Sequence, residues 1–139
     1  MGSVMLRTAT IAASLALLAA SPLAAKSPGL TIKPGETWEF ALSKGQPVAA
    51  RKISPTTDPR EGRIRVTLRS IMGTTLTIVS NIPRPYTYTA ELIGGAKAVP
   101  ARSCTLPADG RLSFENWPQK AEAVRLSNFR PAKREGSCP

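Results

Sequence analysis

Short runs of alternating hydrophobic and polar residues follow one another along most of this chain, separated by Pro and Gly about every ten residues. The clearest run is R-I-R-V-T-L-R-S, residues 63–70, where Ile64, Val66 and Leu68 fall on one side and Arg and Thr on the other. A period of two is typical of a β-strand that buries one face. The pattern therefore predicts many short strands rather than helices.

The same reasoning predicts strands elsewhere in the chain. Residues 74–80, after a turn at 71–73, are β-branched or aliphatic at six of seven positions, which favours a strand that pairs back on the previous one. Residues 123–129 alternate less regularly, with Val124 and Leu126 as their apolar pair. The other predicted strands are residues 37–42, 48–53, 86–92, 99–105 and 112–117.

Seven or eight short strands within about 100 residues indicate an all-β protein, either a single small β-sandwich of immunoglobulin-like type or a small barrel. One helical turn is predicted over residues 118–123, because Pro118 at the first helical position and a following Glu suit a helix start. No internal repeat divides the chain. We expect one domain over residues 26–130 and a C-terminal tail over residues 131–139.

The first 25 residues differ from the rest. Arg7 precedes the apolar run T-I-A-A-S-L-A-L-L-A-A, and small residues follow in S-P-L-A-A up to Ala25. This order is typical of a secretory signal peptide, with cleavage after Ala25. The apolar run is shorter than the roughly 20 residues that a membrane-spanning helix requires. We therefore expect a periplasmic or secreted protein with no integral membrane segment after cleavage.

Composition and charge narrow the function further. Removing 25 of the 139 residues leaves 114, enough for one domain with its own core. Only Arg7 is lost among the charged residues, so 18 basic residues remain against 9 acidic ones and the net charge is +9. The absence of His removes the commonest general base and the commonest metal ligand. No catalytic residue, cofactor site or metal site is predicted.

Cys104 and Cys138 are the only cysteines in the chain. Two thiols in an exported chain are most simply a disulfide, which closes a loop of about 35 residues and contributes roughly 3–4 kcal/mol in the chain-entropy model. A reactive thiol is the alternative, but the chain has no His to activate it. We expect the bridge to tie the C-terminal tail back to the domain.

The stretch C-T-L-P-A-D-G-R-L-S-F-E-N-W-P, residues 104–118, joins two predicted strands across Asp109 and Gly110. We predict a hairpin with a three-residue loop, because that register gathers four side chains on one buried face. They are Cys104, Leu106, Leu112 and Phe114. Glu115 and Trp117 then point outward, and the carboxylate does not converge on the thiol.

The two tryptophans have two interpretations. On an exported protein they form a platform for a carbohydrate, or they pack in the core or at its edge. Trp38 shares the inward parity of Phe40 and Leu42, which favours burial. Trp117 has the outward parity of its predicted strand and stands directly before Pro118, so it is a candidate recognition residue.

A basic stripe on the strand over residues 63–70 is the most informative functional feature. Arg63, Arg65 and Arg69 project from its outward face, and Arg60 stands just before them. Such a face suits phospholipid headgroups, acidic glycans or an acidic protein. Alternatively, the arginines only keep the sheet soluble and its edges unpaired. Nucleic acid is not an expected partner, because the chain is exported and no aromatic residues are interleaved with the basic ones.

Part of the sequence resembles a group of small exported bacterial proteins of unknown function. The shared pattern is Y-T-Y-T-A at residues 86–90, Cys104, F-E-N-W-P at residues 114–118, a last strand and Cys138. It covers roughly the last half of the chain that remains after cleavage. The resemblance implies a disulfide-stapled exported domain and carries no activity with it.

These observations predict an exported, non-enzymatic β-domain that binds an anionic envelope component or an acidic protein through Arg60, Arg63, Arg65 and Arg69. The alternative is a structural or assembly subunit that associates through the edges of its sheets. Salt-sensitive binding is expected only for the first, and a native mass measurement tests the second.

Overall fold

The computed structural model describes Gly2, residues 28–134 and residues 136–138. Apart from Gly2, the predicted signal peptide over residues 1–25 lies outside the described residues. Nine strands form the described part. They are β1 (Leu30–Ile32), β2 (Thr37–Ser43), β3 (Gln46–Lys52), β4 (Ile64–Arg69), β5 (Thr74–Ser80), β6 (Tyr86–Gly94), β7 (Lys97–Ala101), β8 (Leu112–Trp117) and β9 (Ala123–Pro131).

The strands form two antiparallel sheets. A four-stranded sheet has the order β1-β9-β6-β7, and a five-stranded sheet has the order β3-β2-β4-β5-β8. The fold is therefore a small β-sandwich, which confirms the all-β fold class and selects the sandwich over the small barrel. The strand that sequence reasoning missed is β1, because three residues are too few to display an alternation.

The buried faces of the central strands are those that the alternation predicts. Ile64, Val66 and Leu68 of β4 are fully buried between the sheets. Val124 and Leu126 of β9, on the facing sheet, are also fully buried. Burial of aliphatic side chains at this density is the main stabilising contribution to a domain of this size.

The sheets meet closely along one side of the sandwich. The ring of Phe129 in β9 lies 5.6 Å from the ring of Phe40 in β2, centroid to centroid. The Phe129 N–H donates a hydrogen bond of 2.7 Å to the carbonyl oxygen of Gly45, in the turn between β2 and β3. A Cβ atom at Gly45 would lie 2.8 Å from the Phe129 carbonyl oxygen, so this close approach requires glycine. On the opposite side, β7 and β8 enclose a cleft.

The predicted hairpin between residues 99–105 and 112–117 is wrong. β7 pairs with β6 in the four-stranded sheet, whereas β8 pairs with β5 in the five-stranded sheet. The hairpin partner of β7 precedes it in the chain, across a turn at Gly95, where φ is +58°. The two strands that flank residues 102–111 therefore belong to opposite layers of the sandwich.

The loop conformation at Asp109 and Gly110 also differs from the prediction. Both residues have positive φ, 60° and 77°, and they form the two-residue turn that Asp-Gly favours instead of a three-residue loop. The Gly110 N–H donates to the Ser80 carbonyl oxygen at 2.8 Å, and the Asp109 N–H donates to that of Ile82 at 3.1 Å. This turn therefore docks on the end of β5 rather than joining two paired strands.

The side chains of β8 point opposite to the prediction. Leu112 and Phe114 are 50% and 63% exposed, whereas Glu115 and Trp117 are 9% and 6% exposed. An edge strand in a sandwich turns one face to the core, and the large indole of Trp117 takes that face. β8 therefore presents two large apolar side chains outward.

The helical turn predicted over residues 118–123 is wrong, and the described part of the chain has no helix. The buried side chain of Thr74 fixes this segment in an irregular conformation. Its hydroxyl donates to the carbonyl oxygen of Gln119 at 2.7 Å and accepts from the N–H of Ala121 at 3.0 Å. These bonds occupy backbone groups that a helical turn would use.

The predicted disulfide is confirmed. Cys104 and Cys138 are bonded, and their Cα atoms lie 4.2 Å apart. The Thr105 N–H also donates a hydrogen bond of 2.8 Å to the carbonyl oxygen of Ser137. The bridge therefore holds the end of the chain against the segment that crosses between the two sheets.

Candidate functional site

A buried carboxylate organises the outward face of the five-stranded sheet. The side chain of Glu39 in β2 has no exposed surface, although it points away from the core. Its Oε1 atom lies 3.0 Å from Arg51 Nε and 2.7 Å from Arg60 Nη2. Its Oε2 atom accepts a hydrogen bond of 3.1 Å from the Arg60 N–H. Two guanidinium groups and one backbone amide thus compensate its charge.

The electrostatics of Glu39 follow from these contacts. Burial alone would raise the pKa of its carboxyl group, because the charged form loses water. The hydrogen bonds from Arg60 and Arg51 act in the opposite direction and outweigh burial, so the pKa falls to about 2 from its ordinary value of 4.5. Glu39 is therefore a carboxylate throughout the physiological range.

Two of the four arginines in the predicted stripe have internal roles. Arg60 holds Glu39, and Arg65 donates from Nη1 to the Thr57 carbonyl oxygen at 2.7 Å. Both contacts fix the loop over residues 53–63 on the outward face of β2 and β4. Arg63 is half-buried and Arg69 is exposed. The stripe is thus a cationic surface whose arginines also position a loop.

Two apolar side chains share this face with the arginines. In the sheet register, Arg65 is opposite Val79 of β5, and Val79 is opposite Leu112 of β8. Phe114 lies in the next row, opposite Thr77 of β5. Since neighbouring strands are about 4.8 Å apart, β4 and β8 are about 10 Å apart. We use the name outer face for the surface that contains Arg63, Arg65, Arg69, Leu112 and Phe114.

Trp38 packs at the edge of the core, as its parity predicts. The ring is partly buried against the core, and its Nε1 donates to Glu36 Oε2 at 2.6 Å. Lys52 Nζ lies 5.5 Å from the ring centroid, within the range of a cation–π contact. Trp38 is thus partly buried rather than a fully exposed platform.

Trp117 is not outward-facing, so that part of the sequence prediction is wrong. Its indole is buried and donates from Nε1 to the carbonyl oxygen of Arg102 at 2.8 Å. One side of the indole lines the cleft between β7 and β8, which has a volume of about 630 Å³. We call this the edge cleft. Leu92, Val99, Pro100, Trp117 and Ala121 supply apolar lining, and Lys97, Arg102 and Lys120 supply charge.

Glu115 lies beside Trp117 and connects the edge cleft to the disulfide. Its Oε1 atom accepts a hydrogen bond of 2.5 Å from the Cys104 N–H. Burial raises the pKa of the Glu115 carboxyl group, and the bond from Cys104 only partly offsets that effect. Burial, and then the nearby Glu115 charge, also raise the pKa of the Tyr88 hydroxyl. The sequence prediction that Glu115 faces water is wrong.

Glu115→Gln is expected to stabilise the fold at neutral pH. Folding raises the pKa of this carboxyl group above its ordinary value of 4.5. The free energy of unfolding therefore falls as pH rises above about 4.5, because the folded state then holds a charge that burial disfavours. Glutamine keeps the acceptor for the Cys104 N–H without the charge. Thermal unfolding from pH 4 to pH 8 should show a melting temperature advantage for the variant that grows with pH. An advantage that is equal at all pH values would contradict this assignment.

No group of three or more His, Cys, Asp or Glu side chains suited to a metal ion occurs within the described residues. Over the same residues, no helix is long and apolar enough to span a membrane. Comparison with protein-family models, curated proteins and solved structures finds no match to this chain. The resemblance to small exported bacterial proteins stays a prediction.

Proposed function

We propose that this chain is an exported, non-enzymatic binding module that attaches to an anionic surface of the cell envelope through its outer face. The observation that carries the proposal is the placement of arginines and two exposed apolar side chains on one face of one sheet. An anionic phospholipid surface is the partner that uses both features. It offers headgroups to Arg63, Arg65 and Arg69 and an apolar layer to Leu112 and Phe114.

The arginines supply the long-range part of the attraction. A basic side chain close to an anionic membrane contributes about 1 kcal/mol, and the effect decays within a Debye length of about 8 Å at physiological salt. The net charge of +9 that remains without residues 1–25 draws the protein toward such a surface. Binding should therefore weaken steeply as salt rises.

The apolar pair supplies the short-range part. Fully burying a Leu or Phe side chain is worth about 1.5–3 kcal/mol, and these two residues retain half or more of their exposure in the free protein. Exposed large apolar side chains that adjoin charged ones mark interaction sites more often than scattered single residues do. This contribution should be insensitive to salt, since no charge takes part.

Vesicle co-sedimentation separates the two contributions. Replacing Arg63, Arg65 and Arg69 with Ser should weaken binding to vesicles rich in anionic phosphatidylglycerol by about a hundredfold and flatten its salt dependence. Replacing Leu112 and Phe114 with Ser should weaken binding by about tenfold and leave the salt dependence unchanged. Thermal unfolding of each variant checks that the fold survives, because Arg65 also holds Thr57.

A charge-matched control tests the location of the binding surface. Lys33, Lys133 and Arg134 are exposed and follow strands of the four-stranded sheet. Replacing these three with Ser removes the same net charge and should weaken binding by less than tenfold. Equal losses from both triple variants would show that net charge alone drives association and would contradict the proposed face.

Assembly through sheet edges is the alternative function, and β8 is the edge that favours it. β1, β3 and β7 are also edge strands. β1 has only three residues, and β3 and β7 carry Pro47 and Pro100 and exposed basic residues, so all three discourage pairing with another chain. The only charged side chain of β8 is Glu115, which is buried. Native mass spectrometry at rising concentration tests this alternative. Dimers that Phe114→Lys dissolves would support it over the membrane proposal.

A further inference from the structure

The edge cleft has the shape of a ligand site. Its volume of about 630 Å³ lies within the range of roughly 300–1,000 Å³ that small-molecule sites occupy. β7 of one sheet and β8 of the other form its two walls, and residues 118–121 border it. It reaches the core, because Leu92, Trp117 and Ala121 belong both to the cleft lining and to the core cluster.

Three side chains of β8 that line the edge cleft already hold hydrogen bonds within the protein. Trp117 Nε1 donates to the Arg102 carbonyl oxygen, and Glu115 accepts from the Cys104 N–H. Asn116 Nδ2 donates to Thr75 Oγ1 at 2.8 Å. A sugar would have to bury hydroxyl groups against these occupied atoms, which is costly without compensating hydrogen bonds. An alkyl chain needs no such partner.

The charged side chains of the edge cleft are mostly cationic and lie on its exposed rim. Lys97, Arg102 and Lys120 are exposed, whereas the carboxylate of Glu115 is buried and hydrogen-bonded. Glu122, near the β6–β7 turn, accepts a hydrogen bond of 3.0 Å from the Gly95 N–H. The rim therefore carries a net positive charge that is complementary to a single anionic group.

We propose that the edge cleft binds a single-chain amphiphile with an anionic headgroup, of the fatty acid class. The alkyl chain lies along Leu92, Val99 and Trp117, and the headgroup meets Lys97, Arg102 and Lys120 at the rim. The site is distinct from the outer face, since Trp117 and Phe114 point to opposite sides of β8. Neither site requires the other to be occupied.

Tryptophan fluorescence tests the proposal directly, because the chain has only two tryptophans. In Trp38→Phe, the remaining indole of Trp117 lines the edge cleft. Titration with 12-bromododecanoate below its micelle concentration should quench this indole, since a bromine atom quenches on contact. In the matched Trp117→Phe variant, the remaining Trp38 should not be quenched. No quenching in Trp38→Phe, or equal quenching in both variants, would overturn the proposal.

The headgroup assignment has its own test. Replacing Lys97, Arg102 and Lys120 with Gln should weaken dodecanoate binding by about tenfold and leave binding of neutral dodecanol unchanged. Inorganic phosphate at the same concentration should not displace the bromo-acid, because it has no chain for the cleft. Displacement by phosphate alone would show that only the rim binds and would overturn the assignment of the cleft.

Ligand binding in the edge cleft and vesicle binding by the outer face can be tested independently of each other. Replacing Arg63, Arg65 and Arg69 with Ser should abolish most vesicle binding and leave the quenching of Trp117 intact. Vesicle binding without quenching would retain the outer face and reject the cleft ligand. Quenching that is lost in the outer-face variant would contradict two separate sites.

Discussion

Replacing Cys138 with Ser is expected to lower the free energy of unfolding by about 3–4 kcal/mol. The disulfide joins residues 34 positions apart, and its loss releases a long loop in the unfolded chain. In a domain whose total stability is typically about 5–15 kcal/mol, this is a large share. Urea unfolding monitored by circular dichroism measures the change.

The control for this experiment is the double variant Cys104→Ser, Cys138→Ser, which removes the free thiol that the single variant leaves behind. The single and double variants should have the same free energy of unfolding. The unmodified chain in reducing agent should approach that value. Amide exchange at Cys104 and Thr105 should also rise, because the tail no longer holds this segment. A midpoint that stays the same in all three cases would contradict a stabilising bridge.

Glu39→Gln is expected to lower the free energy of unfolding by about 1.5–3 kcal/mol at pH 7. The substitution keeps the shape of the side chain but removes the charge that Arg51 and Arg60 compensate. Because folding lowers the pKa of Glu39 from 4.5 to about 2, its contribution is present above pH 4.5 and is lost as pH falls toward 2. The difference between variant and unmodified chain should therefore shrink across this window.

A substitution at an exposed carboxylate provides the comparison for Glu39. Glu61→Gln removes one negative charge from the same loop region, where the side chain is exposed. This substitution should change the free energy of unfolding by no more than about 0.5 kcal/mol. A Glu39→Gln effect equally small, or one that does not change between pH 7 and pH 3, would show that the buried carboxylate does not anchor the loop over residues 53–63.

The strands that could be predicted from the sequence are those whose own residues carry a clear strand signal. β4 alternates between apolar and polar residues, so a period of two identifies both the strand and its buried side. β5 is identified as a strand by its β-branched and aliphatic composition. The disulfide was also predictable, because a chain that is predicted to be exported and has two cysteines has one simple pairing. These features depend on short-range patterns or on composition.

Short-range patterns could not predict which face of β8 is buried. L-S-F-E-N-W has apolar residues at both parities, and grouping Leu112 and Phe114 with Cys104 satisfied a hairpin that does not form. The real partner is β5, and the burial of Trp117 decides the parity through contacts with a distant part of the chain. Tertiary packing thus overrode the local turn signal.

The ion pairs of Glu39 and the edge cleft both depend on residues far apart in sequence. Glu39 meets Arg51 and Arg60, which are 12 and 21 positions away, and its outward parity gave no sign that it would be buried. The edge cleft exists because β7 and β8 end up in different sheets, whereas sequence reasoning paired them. Neither feature follows from a local pattern, whereas the arginines of the outer face do.

Attachment of the outer face to an anionic surface can be measured without any variant. It is tested most directly by measuring partition of the chain, without residues 1–25, onto vesicles of phosphatidylcholine with and without phosphatidylglycerol. We expect strong binding to the anionic vesicles at low salt, a steep loss of binding as salt rises, and little binding to the purely zwitterionic vesicles. Equal partition onto both kinds of vesicle, or no binding to either at low salt, would contradict it.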